Sequence, residues 1–133
     1  MSNKKKNDML KDDDWCVLYS YSRAQAIDDG VLVDVSRLAQ EAGILFPVAM
    51  SSAAWHDCVA VPSPDIGQDE TGRLWDVLIV FRFAARGVSN SDVRFSVLVV
   101  RGENSQQEVK LKALCHPGDT AEPVITIMLP DED

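Results

Sequence analysis

From Val93 onward the chain falls into three consecutive β-prone stretches, the first two with apolar residues at every second position and the last an apolar β-branched run. Val93-Arg94-Phe95-Ser96-Val97-Leu98-Val99-Val100 comes first, and Arg101 to Ser105 reads as a turn. In Glu108 to Cys115, Val109, Leu111, Ala113 and Cys115 alternate with Glu108, Lys110, Lys112 and Leu114. A second turn, at His116-Pro117-Gly118-Asp119, leads into Val124 to Leu129 and then an acidic stop, Asp131-Glu132-Asp133. Strand side chains point alternately to the two faces of a sheet, so each alternating stretch has one apolar face to bury. Strands joined by such short turns pair as an antiparallel meander, and helices must cover the apolar face. The expected fold class is α+β: a β meander packed against several short helices in a single domain.

The N-terminal half supplies those helices. Ser22 can cap a helix over Arg23 to Asp28 that ends at Gly30, and Val31 to Val33 is a short extended piece. Asp34 or Ser36 can cap a second helix through Ala42, stopped by Gly43. Phe46 to Met50 is extended around Pro47, and Ser51 or Ser52 can open a helix through Val59. Val61 to Thr71, with Pro62, Pro64 and Gly67, reads as the one long loop and a candidate binding edge. Between Gly72 and Gly87, residues Leu74, Val77, Leu78, Phe81 and Ala85 share one helical face. The β-branched centre of that segment also permits a strand, but its length and flanking glycines favour a helix. Trp15 to Ser20 reads as a first strand, and polar Met1 to Asp14, with its Lys4-Lys5-Lys6 and Asp12-Asp13-Asp14 runs, as a disordered lead-in. Residues 15–133 then form the single domain.

Composition narrows function by exclusion. The 133 residues are 46% hydrophobic and 26% charged, with 13 Lys and Arg against 21 Asp and Glu, a net charge of −8. Met1 to Asp14 is itself balanced, so the acidity belongs to the folded part, and such a surface repels phosphate backbones. Direct nucleic-acid binding is disfavoured, and a protein partner is expected. Cys16, Cys58 and Cys115 are odd in number and widely spaced, which predicts buried reduced thiols rather than disulfides or a zinc site. No run approaches the ~20 apolar residues of a membrane span, so a cytoplasmic location is expected. No glycine string that could wrap a phosphate is present, and no cofactor or metal is expected.

Few residues suggest chemistry. His56 lies between Trp55 and Asp57 on an expected helix, where neighbours face different directions. His116 sits at a turn where Asp119 and Glu122 could approach it, although turn chemistry alone accounts for all three. Trp15, Trp55 and Trp75 read as core residues. Arg73, Asp76, Arg82 and Arg86 would line the polar side of the helix after Gly72, as a solvated face or as an anion or partner patch. Acidic groups available to a basic partner include Asp28, Asp29, Asp65, Asp69, Glu70, Asp131, Glu132 and Asp133.

Two resemblances add to this reading. Tyr19 to Val35, Arg73-Leu74-Trp75-Asp76-Val77-Leu78, and Pro117 to Asp133 resemble a small family of unknown function encoded on bacterial plasmids, integrative conjugative elements and phages. That resemblance implies accessory work for mobile DNA, including interference with host defence, and carries no activity. Tyr19 to Ile27 followed by Gly30-Val31-Leu32 is also similar to the strand-to-helix opening of ADP-ribosyltransferase-like folds, where a short polar motif grips a nicotinamide dinucleotide. Here tyrosine or serine replaces that strand's usual histidine or arginine. This second resemblance implies Tyr21 and Arg23 as ligand-facing residues and Glu122 as the candidate glutamate; His116, from its turn position, is a separate catalytic candidate. The leading expectation is nonetheless a non-enzymatic, acidic protein-binding module of a mobile element.

Overall fold

In the computed structural model, residues 21–61 and 69–132 are described. They form α1 (Arg23–Asp28), β1 (Leu32–Asp34), α2 (Ser36–Glu41), β2 (Val48–Ser51), α3 (Ser52–Cys58), α4 (Glu70–Ala85), β3 (Asp92–Gly102), β4 (Ser105–Pro117) and β5 (Pro123–Met128). The two alternating stretches and the apolar run after them are β3, β4 and β5, and they pair as the antiparallel meander that their short turns imply. The sheet does not end there. β2 pairs parallel to β5 and β1 pairs antiparallel to β2, giving a five-stranded mixed sheet in the order β1-β2-β5-β4-β3. The fold class is α+β.

Register decides which side chains share a face. Val97 is paired with Val109, Phe95 with Leu111, Ala113 with Ile127, and Ile127 with Met50, so these residues form one continuous apolar surface. Helix α4 lies over it with Leu74, Val77, Leu78 and Phe81 buried, and the rings of Phe81 and Phe95 meet at 5.8 Å between centroids. Burying one such side chain is worth roughly 1.5–3 kcal/mol, so this interface is the main store of stability. The opposite face carries Arg94, Ser96, Lys112, Leu114, His116, Thr126 and Ser51, and α1 leans on part of it.

The helices begin where short polar side chains can replace missing backbone partners. Ser22 accepts from Gln25 N and Gln25 returns a bond to Ser22 N, a complete capping box. Ser51 Oγ caps α3 through Ala54 N at 3.1 Å, and Asp69 caps α4 through Gly72 N at 2.6 Å. Gly43, at φ +90°, ends the α2 region, and an added Cβ there would sit 3.2 Å from the Arg82 guanidinium carbon.

Several expectations need correction. Glu70 and Thr71 belong to α4, because capping by Asp69 starts that helix ahead of Gly72; residues 62–68 of the expected Val61 to Thr71 loop lie outside the described residues. β4 runs through His116 and Pro117, and the turn is Gly118 to Glu122, closed by Gly118 N donating to Glu122 O at 2.7 Å. Neither Asp34 nor Ser36 is the N-cap of α2. Val35 is, while Asp34 accepts from Ser36 N and the Ser36 hydroxyl links to Val48. Cys115 is exposed near the end of β4, whereas Cys58 is buried. Trp75 is exposed on the outside of α4, not in the core. Arg73 is only 4% exposed, and its guanidinium donates to Ala60 O and Val100 O rather than to solvent. The expected lead-in, the strand over Trp15 to Ser20, Cys16, Asp65 and Asp133 lie outside the described residues.

Candidate functional site

The face of the sheet away from α4 carries a groove of about 580 Å³ between α1 and the β4–β5 pair. It joins Tyr21, Ser22 and Arg23 at the start of α1 to His116, Pro117, Gly118 and Asp119 at the end of β4. Its apolar lining comes from Ala26, Val31, Leu32, Leu114 and Met128, and its polar groups are Arg23, Ser51, His116, Asp119, Thr126 and Glu132.

Three segments far apart in sequence converge on Thr126. Arg23 donates from Nη1 to Thr126 Oγ1 at 2.7 Å and from Nη2 to Ile125 O at 2.7 Å. His116 Nε2 lies 2.8 Å from the same hydroxyl, and His116 Nδ1 lies 3.0 Å from Pro117 O. One tautomer satisfies every group: Nδ1–H donates to Pro117 O, and Nε2 accepts from Thr126, which accepts from Arg23. Burial pulls the Arg23 guanidinium below its ordinary pKa, and the Asp34 and Asp119 charges oppose that pull. Arg23 therefore stays charged.

The acidic members of the site are equally engaged. Asp119 accepts from Arg23 N at 2.8 Å and Ala24 N at 3.1 Å, and these two bonds hold its carboxyl below the usual carboxylate range. One turn residue thus fixes α1 against the end of β4. Glu132 reaches back from the chain after β5, accepting from Ser51 Oγ at 2.6 Å and Leu129 N at 2.8 Å. Its backbone carbonyl in turn accepts from Lys112 Nζ.

Tyr21 hydroxyl donates to Asp29 at 2.8 Å, and that hydrogen bond raises the phenol pKa. Such an arrangement can hold an extended or amphipathic ligand, since its floor is apolar and its polar groups are pre-positioned by one another. Its buried hydroxyls are engaged within the site: Thr126 donates to His116 Nε2 while accepting from Arg23, and Ser51 donates to Glu132. Thr126 and Ser51 both bond groups that orient them structurally, and Cys58, outside the groove, has its thiol pushed up to about 11 by burial. Among the described residues no group of three or more His, Cys, Asp or Glu is gathered for a metal ion.

Of the residues singled out from sequence, Tyr21, Arg23 and His116 line this groove, while Glu122 does not. Glu122 is exposed in the turn, where its backbone carbonyl closes the loop. Asp69 is the cap of α4, Glu70 its exposed first residue, and Asp76 and Arg82 lie on the outside of the same helix. These four lie on the other side of the sheet from the groove. Of the acidic residues offered to a partner, Glu132 does line the groove, while sequence reasoning missed Thr126, Ser51, Leu114 and Met128 as members of it. Thr126 had a signal: it is the one polar side chain within Val124-Ile125-Thr126-Ile127-Met128, and it is buried in a strand otherwise made of apolar residues.

Among the described residues no helix is long and apolar enough to cross a membrane. Neither a curated protein nor a solved structure matches the chain. A family model does match, over residues 9–133, and the chain belongs to that family, a family of unknown function (DUF6573).

Proposed function

We propose that this chain is a non-enzymatic accessory protein of mobile DNA that binds a basic segment of a partner protein in the groove between α1 and β4–β5. The observation that carries this reading is the pairing of an apolar floor with polar groups that already bond one another. Arg23, Thr126 and His116 are mutually engaged, as are Ser51 and Glu132, so the groove is a shaped surface rather than a set of unspent reactive groups. Net charge supplies the partner's sign: a chain of −8, with Asp119 and Glu132 in the lining, draws cationic segments toward the mouth. The habitat suggested by the sequence blocks then makes a host defence or nucleic-acid-handling protein the class of target, its basic surface covered by this acidic one.

The test is a titration of the isotope-labelled chain, followed by NMR, with a peptide alternating Leu and Arg and with its Leu/Glu counterpart. The expected result is shifts at Arg23, Ala26, Leu114, Thr126 and Met128 with the basic peptide, weakened by added salt. Equal binding of the acidic peptide, or shifts confined to residues outside the groove, overturns the reading.

A second reading is a small-ligand site of the ADP-ribosyltransferase kind. The groove volume supports it, because about 580 Å³ lies inside the range of small-molecule sites and Tyr21 and Arg23 are in the lining. Against it stands Glu122, which is absent from that lining. Calorimetric titration with nicotinamide adenine dinucleotide separates the two readings: heat at millimolar dinucleotide, abolished by Arg23→Ala, selects the second.

A further inference from the structure

Two carboxylates line the groove, and their oxygens are used differently. Asp119 accepts from Arg23 N at one oxygen and from Ala24 N at the other, so both are committed to the start of α1. Glu132 accepts from Ser51 Oγ and from Leu129 N through the same oxygen, Oε2. Among the described residues its Oε1 receives no donor and no cation pairs with its carboxylate. An ionised carboxylate has about four acceptor positions, so the bonded oxygen fixes the direction of a free one. The side chain is half-buried, which holds that free oxygen at the groove rather than out in bulk water.

The cations nearby leave the Glu132 charge unanswered. Lys112 Nζ bonds the Glu132 backbone carbonyl, not its carboxylate. Arg23 stands further along the strands. Lys112 pairs with Met128 and Leu114 with Thr126, so the row bonded to Glu132 and the row bonded to Arg23 are two residues apart, about 7 Å. The Arg23 charge is met by Asp34 and Asp119 instead.

From this asymmetry we infer that Glu132 is the specificity-determining residue of the groove, taking the guanidinium or ammonium end of a partner's basic side chain on Oε1, while Asp119 only builds the wall. The inference rests on the peptide-binding reading above and names the carboxylate that reads the partner's charge. A long basic side chain suits this end of the groove, because Leu32 and Met128 are in the lining for its aliphatic stem to cover as its head reaches Glu132. Charge-assisted bonds to a carboxylate are roughly twice as strong as neutral ones, and Ser51 and Leu129 have already oriented this one.

The test is calorimetric titration of the full chain with a Leu-rich peptide carrying one Arg, and with the same peptide carrying citrulline, the neutral isostere. The wild type should bind the Arg peptide roughly tenfold or more tightly. Glu132→Gln keeps an acceptor for Ser51 and Leu129 but has no charge, so most of that discrimination should disappear while the thermal melt stays near the native one. Glu122→Gln makes the same change in net charge outside the groove and should leave the discrimination intact. An NMR titration reads the same contact without a substitution: the Glu132 side-chain carboxyl carbon should shift with the Arg peptide and stay still with the citrulline one. Discrimination that survives Glu132→Gln, that is lost equally in Glu122→Gln, or that leaves the Glu132 carboxyl unshifted overturns the inference while the peptide-binding reading stands. A wild-type chain that binds neither peptide, or both equally, overturns the reading and the inference with it.

Discussion

Leu111 and Leu114 are three residues apart on β4 and point to opposite faces of the sheet. Leu111 is 0% exposed beneath α4, while Leu114 is half-buried in the lining of the groove. On the covered face nearly every contact is apolar, and the arrangement is held by exclusion of water and close packing. On the open face, by contrast, side chains from distant segments are held by hydrogen bonds: Arg23 to Thr126, Asp119 to the start of α1, Glu132 to Ser51. The lesson is that the two faces divide labour. Packing under α4 fixes the fold, and the bonds across the open face fix the shape of a surface that can receive something else.

The sharpest test of that division is the pair of leucines itself. Leu111→Ala should lower the unfolding free energy by about 3 kcal/mol, because it removes buried methylenes and leaves a cavity in a well-packed layer. Leu114→Ala should cost about 1 kcal/mol or less, since solvent can fill the space. Urea unfolding of both variants measures the difference, and equal costs would mean that the open face is covered as fully as the other.

Arg73 tests whether the covered face tolerates a buried charge for a structural reason. Its guanidinium joins Ala60 O, after α3, to Val100 O, near the end of β3, and its Nε has no partner among the described residues. Arg73→Met keeps most of the stem but leaves both carbonyls unpaired, at an expected cost of about 2 kcal/mol. The urea midpoint should fall while groove binding stays unchanged. A loss of binding without a loss of stability would place Arg73 in recognition instead.

Arg23 is the corresponding residue on the open face, and its removal should invert that outcome. Arg23→Ala leaves Ile125 O and Thr126 short of a donor, for about 1 kcal/mol of stability, yet it should abolish the peptide shifts at Leu114 and Met128. Arg23→Lys cannot bond both acceptors through a planar fork and should bind more weakly than the native chain.

How much of this was legible in the sequence also differs between the two faces. The covered face was written in periodicity: alternation over Val93 to Val100 and Val109 to Cys115, and the helical spacing of Leu74, Val77, Leu78 and Phe81, gave strands, helix and inner surface. Such patterns are local and survive without knowledge of the fold. The open face was only partly legible. Tyr21, Arg23 and His116 could be named, but their meeting point at Thr126 depends on β4 lying between β3 and β5 and on α1 crossing that pair, contacts about a hundred residues apart along the chain. The parallel pairing of β2 with β5 was invisible for the same reason. Arg73 was misread because a charged residue next to an apolar stripe usually snorkels to water, and nothing local announces two inward-facing carbonyls.

A smaller effect separates the faces by pH. The folded-state pKa of Asp119 is depressed by the two backbone donors of α1, so its contribution is fully present above the unfolded carboxylate value. It is lost as pH falls through the folded value. The stability gap between the native chain and Asp119→Ala should therefore be widest at neutral pH and close in acid below the ordinary aspartate range. The gap between the native chain and Leu111→Ala, which involves no titrating group, should not narrow with it. Urea midpoints across that pH range check both.

The smallest expected change lies in the turn that carries Asp119. Ala121 has φ of +67°, a left-handed conformation that costs a non-glycine residue roughly 1 kcal/mol. Ala121→Gly removes that cost but restores freedom to the unfolded chain worth about 0.4–1 kcal/mol, so the net change should stay within about 0.5 kcal/mol. Ala121→Val should instead destabilise, because a β-branched side chain fits that backbone region worse than alanine does. The turn must keep this shape because Gly118 approaches Val124 so closely that an added Cβ would sit 2.8 Å from its methyl carbon. If Ala121→Val proves neutral by thermal melting, the turn is free to rearrange, and Asp119 does not hold α1 against β4 through a rigid turn.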